Sequence, residues 1–595
     1  MRLADYFVSR LIEAKVETVF TVTGRGSLYL TDALARRPEI RVVAMHNEQS
    51  ASYAAVASAD VSGRLSVCLV STGCAMTNAI SGVLSAWQDE LPVLFVSGQH
   101  ALSETTRYSG SPRRTFGEQE TDIASIVGSI TKMAQMLTSP AEFDDLFDLA
   151  TRYALTGRKG PVWLDIPLDL QSARIEPGII DKKLRLESTE EVKESADIKN
   201  VANKLAKALR PVFLVGGGLR RDGGVVAFRK LLEKTRIPVV FDSSAVDVYG
   251  TANHLSIGSV GAMGCSRAGN IVLQKADLVI ALGSQLRSSL VGERPRSFVP
   301  NGEVLLVDVD DSCINNELSS LKGFIKSDVL QFVEALNLMT EEVEREDWVA
   351  WSTFVKTSVQ TYDYSKDQDS RVDLYHLSDV LSEVLSDQSI VVTESGLTEL
   401  IIPTTMGFRL GQRSIHPVSQ GAMGFGLPAA IGVYAETRSE EIVLVTGEGS
   451  LMMNIQELQT IRHHQMPIKI VVVENGGYAV IRKRQSELFR GRTIGTDNSN
   501  GISFPDLRAL ADVFGLKYRC VVRASDLRAT LTDVLSHDGP AFCEIKGLEN
   551  QEYVRVSRAR ASNGELQSRP IDDQFPFLGE AKMSDLTSAL RTIEW

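Results

Sequence analysis

Short runs of branched apolar residues alternate with stretches of helical period along almost the whole chain. RVVAM, LSVCLV and LPVLFVSG come first; PVFLVGGG, IPVVFD and ADLVIALGS follow; QSIVVTE, EIVLVTG and PIKIVVVEN come last. A strand that is apolar at every position is buried on both faces, the condition of a parallel sheet covered by its own crossover helices. The chain therefore reads as α/β, and its 595 residues exceed what one hydrophobic core supports.

Two polar, charged stretches, at about 171–200 and 340–371, divide the strand-bearing sequence. The spacing predicts three doubly wound parallel-sheet domains over 1–170, 190–340 and 370–560, with a tail or lid over 561–595. The first and third segments are of similar size and could repeat one topology. A net charge of −12 argues against nucleic-acid binding, which needs a basic face. No apolar run is long enough to span a bilayer, and the N-terminal stretch carries acids unlike a signal peptide. The six cysteines form no CxxC pair, so reduced thiols in a cytoplasmic protein are expected.

In open parallel sheets ligands bind where strands run into helices, and one such junction stands out. EIVLVTGEGSLMMN reads as strand, Gly-rich turn and helix, with Glu448 between Gly447 and Gly449 and Ser450 following. Glycines there let backbone N–H groups approach a phosphate. Twenty-seven residues on, the strand IKIVVV ends in ENGGY, which sets Asn475 at a neighbouring strand end. A carboxylate and an amide oxygen facing a diphosphate are the hard donors that Mg²⁺ takes. The same residues would also serve as a solvated turn.

GEGS followed by ENGGY resembles the thiamin-diphosphate (ThDP) motif of the acetolactate synthase-like enzymes, and QGAMGFGLPAAIG and HNEQSASYAA are similar to two further segments of that family. The resemblance implies a pyrimidine-binding domain, a central dinucleotide-like domain and a diphosphate-binding domain. It implies metal ligands at Glu448, Asn475 and the Gly477 carbonyl, with Glu448 standing where the family has Asp. It implies cofactor contacts at Gly24, Thr398, Met423, Gly447, Gly449, Ser450 and Tyr478. Glu48 is the implied activating acid, whose carboxyl bonds the aminopyrimidine, and Gln119 a cofactor-side catalytic residue. Glu118 and Arg484 take pocket positions where the synthases carry aromatic residues. The middle domain of those synthases holds FAD in a non-redox role; here the corresponding run reads QLRSS, loses two acids and moves the Arg, which leaves flavin an open expectation.

The activity so implied is decarboxylation of a 2-oxo acid, pyruvate in the family's pattern, and joining of the two-carbon unit to an acceptor carbonyl. Such a protein works as a homodimer or homotetramer with sites at the subunit interface. Three other readings stay open. The basic run IRKRQSELFRGR suits either a solvated face or an anionic acceptor such as a nucleotide-linked keto sugar. A simple decarboxylase and a non-catalytic homologue are the others.

Overall fold

The structure is a computed structural model and describes residues 1–175, 196–342, 345–359, 362–364, 367, 369–556, 558–560 and 566–591. The charged stretch expected to link the first two segments falls largely outside the described residues.

Three six-stranded sheets account for the strand pattern, and every neighbouring pair within them is parallel. The first holds β1 (Thr18–Thr21), β2 (Arg41–Ala44), β3 (Ser66–Val70), β4 (Val93–Gln99), β5 (Met133–Met136) and β6 (Val162–Pro167) in the order 2-1-3-4-6-5. The second holds β7 (Pro211–Val215), β8 (Val239–Phe241), β9 (Ser256–Ser259), β10 (Leu278–Leu282), β11 (Glu303–Asp308) and β12 (Leu321–Lys326), ordered 12-11-10-7-8-9. The third holds β13 (Ile390–Thr393), β14 (Arg413–Ile415), β15 (Ile442–Gly447), β16 (Lys469–Glu474), β17 (Lys517–Val521) and β18 (Ala541–Lys546), ordered 14-13-15-16-18-17. Counted from their own first strands, the first and third sheets have the same order. The middle sheet has another.

The two like sheets share one core. The helices Glu48–Ser62 and Gly426–Thr437 follow corresponding strands, β2 and β14, and pack on each other. Ala51, Ala54 and Ala55 on one side meet Ala429, Ala430 and Ile431 on the other within a single apolar cluster. The approach is close enough that a Cβ on Gly432 would lie 2.1 Å from the Ala54 carbonyl oxygen, so only glycine fits. Small residues that looked featureless in the sequence are what let these helices touch.

The second charged stretch is not a bare connection. It carries the helix Glu346–Ser358, whose Trp348 and Trp351 are buried in the middle core, because two large apolar rings outweigh the surrounding charges. The described part of the tail wraps onto the same domain: Gln574 bonds Asn270 and the Gly261 carbonyl, and the Trp351 indole donates to the Leu586 carbonyl.

Candidate functional site

The order of the third sheet reverses direction between β13 and β15, which makes the gap between their carboxyl ends the place for a ligand. A cavity of about 470 Å³ opens there. It is lined by Ser395–Thr398 after β13, the turn Gly447–Ser450 after β15, Asn475, Gly477 and Tyr478 after β16, and Met423 from the loop before Gly426. Thr398, Met423, Gly447, Glu448, Gly449, Ser450, Asn475, Gly477 and Tyr478, singled out from widely separated stretches, all face this one space.

Glu448 is not a solvated turn residue. It opens the short helix Glu448–Leu451, is 2% exposed, and its Oε1 accepts the backbone N–H groups of Asn475 at 3.2 Å and Gly477 at 2.7 Å. Burial pushes its carboxyl up to about 7, while those N–H groups pull the other way. Asn475 is 7% exposed, and its Oδ1 is buried without a hydrogen-bond partner. An unmade bond of that kind costs roughly 1–3 kcal/mol and wants a donor or a cation. Gly477 has φ of 135°, and a Cβ on it would meet the Thr496 carbonyl oxygen at 2.0 Å. Among the described residues no group of three or more His, Cys, Asp or Glu could hold a metal by itself. A carboxylate, an amide oxygen and a backbone carbonyl would therefore need phosphate oxygens to complete an octahedral set, and that donor set fits Mg²⁺ beside a diphosphate.

The Thr398 hydroxyl donates to the Glu394 carbonyl at 3.0 Å, so its proton is spent on the backbone between β13 and the helix Leu397–Thr405. Arg484 lies outside the cavity and sits 3.9 Å from Glu487. Arg482 and Lys483 of the basic run around it are engaged internally, while Arg490 and Arg492 are exposed. Arg482 donates to the carbonyls of Gly476, Asn475 and Glu549 at 2.9, 3.1 and 2.6 Å, which braces the loop that holds Asn475. Lys483 pairs with Glu552.

The N-terminal candidates sit apart from that cavity. Glu48 is the first residue of its helix, half-buried, and its Oε2 accepts from Asn78 Nδ2 at 3.0 Å. Gly24 follows β1, where a Cβ would lie 2.4 Å from the Ser71 hydroxyl. Gln119 has φ of 64° in a turn against Gly73 and lines a cavity of about 200 Å³ with Arg25, Thr72, Gln99 and His100. Glu118 is paired with Arg25 at 3.0 Å, so its charge does not stand alone. Beneath this loop Asp165 accepts from Ser97 Oγ at 2.7 Å and Gln99 Nε2 at 3.1 Å, and Gln99 also holds the Thr121 carbonyl at 3.0 Å. Burial pushes Asp165 up to about 7.

Three family profiles match in order along the chain. They are described as the N-terminal TPP binding domain (residues 1–126), the central domain (198–336) and the C-terminal TPP binding domain (395–545) of thiamine pyrophosphate enzymes, and together they span well over half of it. The chain belongs to the thiamine pyrophosphate enzymes. It is 28% identical over 570 residues to the acetolactate synthase isozyme 1 large subunit of Escherichia coli, covering 95% of this chain and 97% of that one. It is 28% identical over 574 residues to the isozyme 2 large subunit of the same organism, at 95% and 99% coverage. The acetolactate synthase large subunit of Corynebacterium glutamicum is 27% identical over 575 residues, at 95% and 90%.

One residue of this thiamine pyrophosphate enzyme escaped the sequence reading. Glu394, at the end of β13, is 1% exposed; its Oε2 accepts the Gly426 N–H at 3.0 Å and its Oε1 the Thr446 hydroxyl. Burial pushes it up to about 7. It ties the segment carrying Met423 to the strand ending in Gly447. The signal was present as an acid directly after the apolar strand QSIVVTE, a position that is either solvated or deliberately paired.

Proposed function

We propose that this thiamine pyrophosphate enzyme decarboxylates a 2-oxo acid, pyruvate in the first instance, and joins the two-carbon unit to an acceptor carbonyl in the manner of the acetolactate synthases it is similar to. The observation that carries the reading is the buried, partnerless Oδ1 of Asn475 beside the Glu448 carboxyl, in a cavity lined by the glycine turn. Glu448, Asn475 and the Gly477 carbonyl would hold Mg²⁺. The turn Gly447–Ser450 would take the diphosphate, and Met423 would support the cofactor between its rings. When bound, the cofactor supplies a carbanion equivalent at a thiazolium carbon. Glu48 would hold a proton at the aminopyrimidine, and Gln119 would bond the reacting end.

Among the described residues, neither Glu48 nor Gln119 lines the cavity that holds Glu448, so the reading has the two halves meet across a subunit interface. Ile481, which lines the cavity, is exposed, as are Leu488, Phe489 and Ile494 further along the same stretch, and they supply apolar surface suited to a second copy. A homodimer or a tetramer follows from this. All six cysteines are free, in keeping with a cytoplasmic location. The basic run spends Arg482 and Lys483 on internal partners, so a nucleotide-linked acceptor would have only the exposed Arg484, Arg490 and Arg492 of that run to meet it.

Incubation with pyruvate, ThDP and Mg²⁺ tests the reading: CO₂ and acetolactate are expected together. Acetaldehyde in place of acetolactate would make the protein a simple decarboxylase, and absence of CO₂ from any 2-oxo acid would remove the activity altogether.

A further inference from the structure

The middle sheet reverses direction between β7 and β10, so a dinucleotide would lie across the carboxyl ends of those strands, over the turn Gly216–Gly218. That turn is already filled. A Cβ on Gly217 would lie 2.8 Å from the Arg221 guanidinium and 2.9 Å from the Ser244 hydroxyl, so the room glycine leaves for a phosphate is taken by the chain's own side chains. Gly216 and Gly218 pack on the end of β10, where added Cβ atoms would lie 2.4 and 2.7 Å from the Gly283 backbone. The crevice that remains is about 80 Å³, and Arg221 separates it from a neighbouring cavity of about 260 Å³. Cofactor sites typically need roughly 300–1,000 Å³ of continuous space.

Arg221 is held in place. It donates to Glu90 of the first domain at 2.7 Å, and Glu90 is only 7% exposed. The other oxygen of Glu90 takes Arg158, which reaches back to Asp308 at 2.8 Å and Asp310 at 2.9 Å in the middle domain. From the other wall Arg287 donates to the Gln88 carbonyl at 3.1 Å and to the Ser419 hydroxyl of the third domain. A buried charge that loses its partner is costly, so the pairing with Glu90 keeps Arg221 from swinging aside to admit a ligand.

We propose that this crevice is a clamp joining the three domains through Glu90, Arg158, Arg221 and Arg287, and that the protein holds no flavin. On this proposal the flavin that the sequence left open is absent, and the reason is steric and electrostatic. The inference is independent of which 2-oxo acid or acceptor the enzyme uses.

The full chain, purified and then denatured in acid, should release no flavin, and FAD fluorescence should not be quenched saturably by the intact protein. Stoichiometric flavin in the supernatant, or saturable quenching, overturns the proposal whatever the activity assay finds. Glu90→Gln and Arg221→Gln address the clamp. Each alone should lower the unfolding midpoint by several degrees, and the pair together should lower it by less than the sum. Strictly additive shifts would mean that the two residues are not coupled and that no clamp exists.

Discussion

Glu448 and Gly477 are joined by a 2.7 Å hydrogen bond from the glycine N–H to the carboxylate, across two neighbouring strand ends. The glutamate thus folds back onto the loop that also presents Asn475. Its extra methylene, relative to aspartate, is absorbed by this backward turn. A cation held between Asn475 Oδ1 and the Glu448 carboxylate would compete with those two backbone N–H groups for Glu448 Oε1.

Glu448→Gln should weaken Mg²⁺-dependent ThDP binding by about ten- to a hundredfold, the worth of roughly 1.5–3 kcal/mol for one charged contact. Glu448→Asp should keep or improve Mg²⁺ affinity, because a shorter acid leaves the backbone amides and faces the cation. Titration of intrinsic fluorescence with ThDP at varied Mg²⁺ reads both, and equal binding with and without metal in the unaltered protein would falsify the metal assignment.

Glu48→Gln should abolish turnover while leaving the circular dichroism spectrum and unfolding midpoint close to those of the parent. The residue is half-buried and makes one side-chain bond, to Asn78, which glutamine can still accept. Decarboxylation near the parental rate would sink the role proposed for it.

Glu394→Ala removes the acceptor of the Gly426 N–H and the Thr446 hydroxyl, both buried. The loss should be roughly 1–3 kcal/mol in urea unfolding, with weaker cofactor binding because the Met423 segment loses its tie to β15. Glu394→Gln should recover much of the stability, since an amide oxygen can still take one of the two donors. If alanine and glutamine behave alike, the tie does not matter.

Asp165 gives the fold a pH dependence of predictable sign. Its carboxyl is pushed from 3.8 to about 7, so the folded chain keeps a proton that the unfolded chain releases over that interval. The contribution to stability is complete below the lower value and is lost as pH rises through the upper one, at no more than about 1.4 kcal/mol per unit. Asp165→Asn should flatten this part of the profile. Urea midpoints between the two values read it, and an unchanged slope in the variant would assign the dependence elsewhere.

Much of the chemistry was legible because it is local. EIVLVTGEGS and IKIVVVEN each carry a strand, its end and the polar residue placed there, and adjacent parallel strands bring such ends together. The α/β architecture was legible for a similar reason, since wholly apolar strands announce burial on both faces. What remained hidden depends on partners far away in the chain. Nothing near Glu118 announces Arg25, and nothing near Gly217 announces that Arg221 will be drawn over it by Glu90. Trp348 and Trp351 sat in a stretch whose charges suggested a linker, and only packing against the middle core reveals their side of the helix.

The seam between the helices Glu48–Ser62 and Gly426–Thr437 pairs corresponding elements of two like-wound sheets, which is how an isologous homodimer is built. One chain therefore contains an interface of the kind that ordinarily joins two copies. A duplicated gene, fused end to end around a third domain, would inherit such a seam ready-made. The two sides are not alike: one presents the carbonyl of Ala54, and the other offers no side chain at Gly432 to meet it.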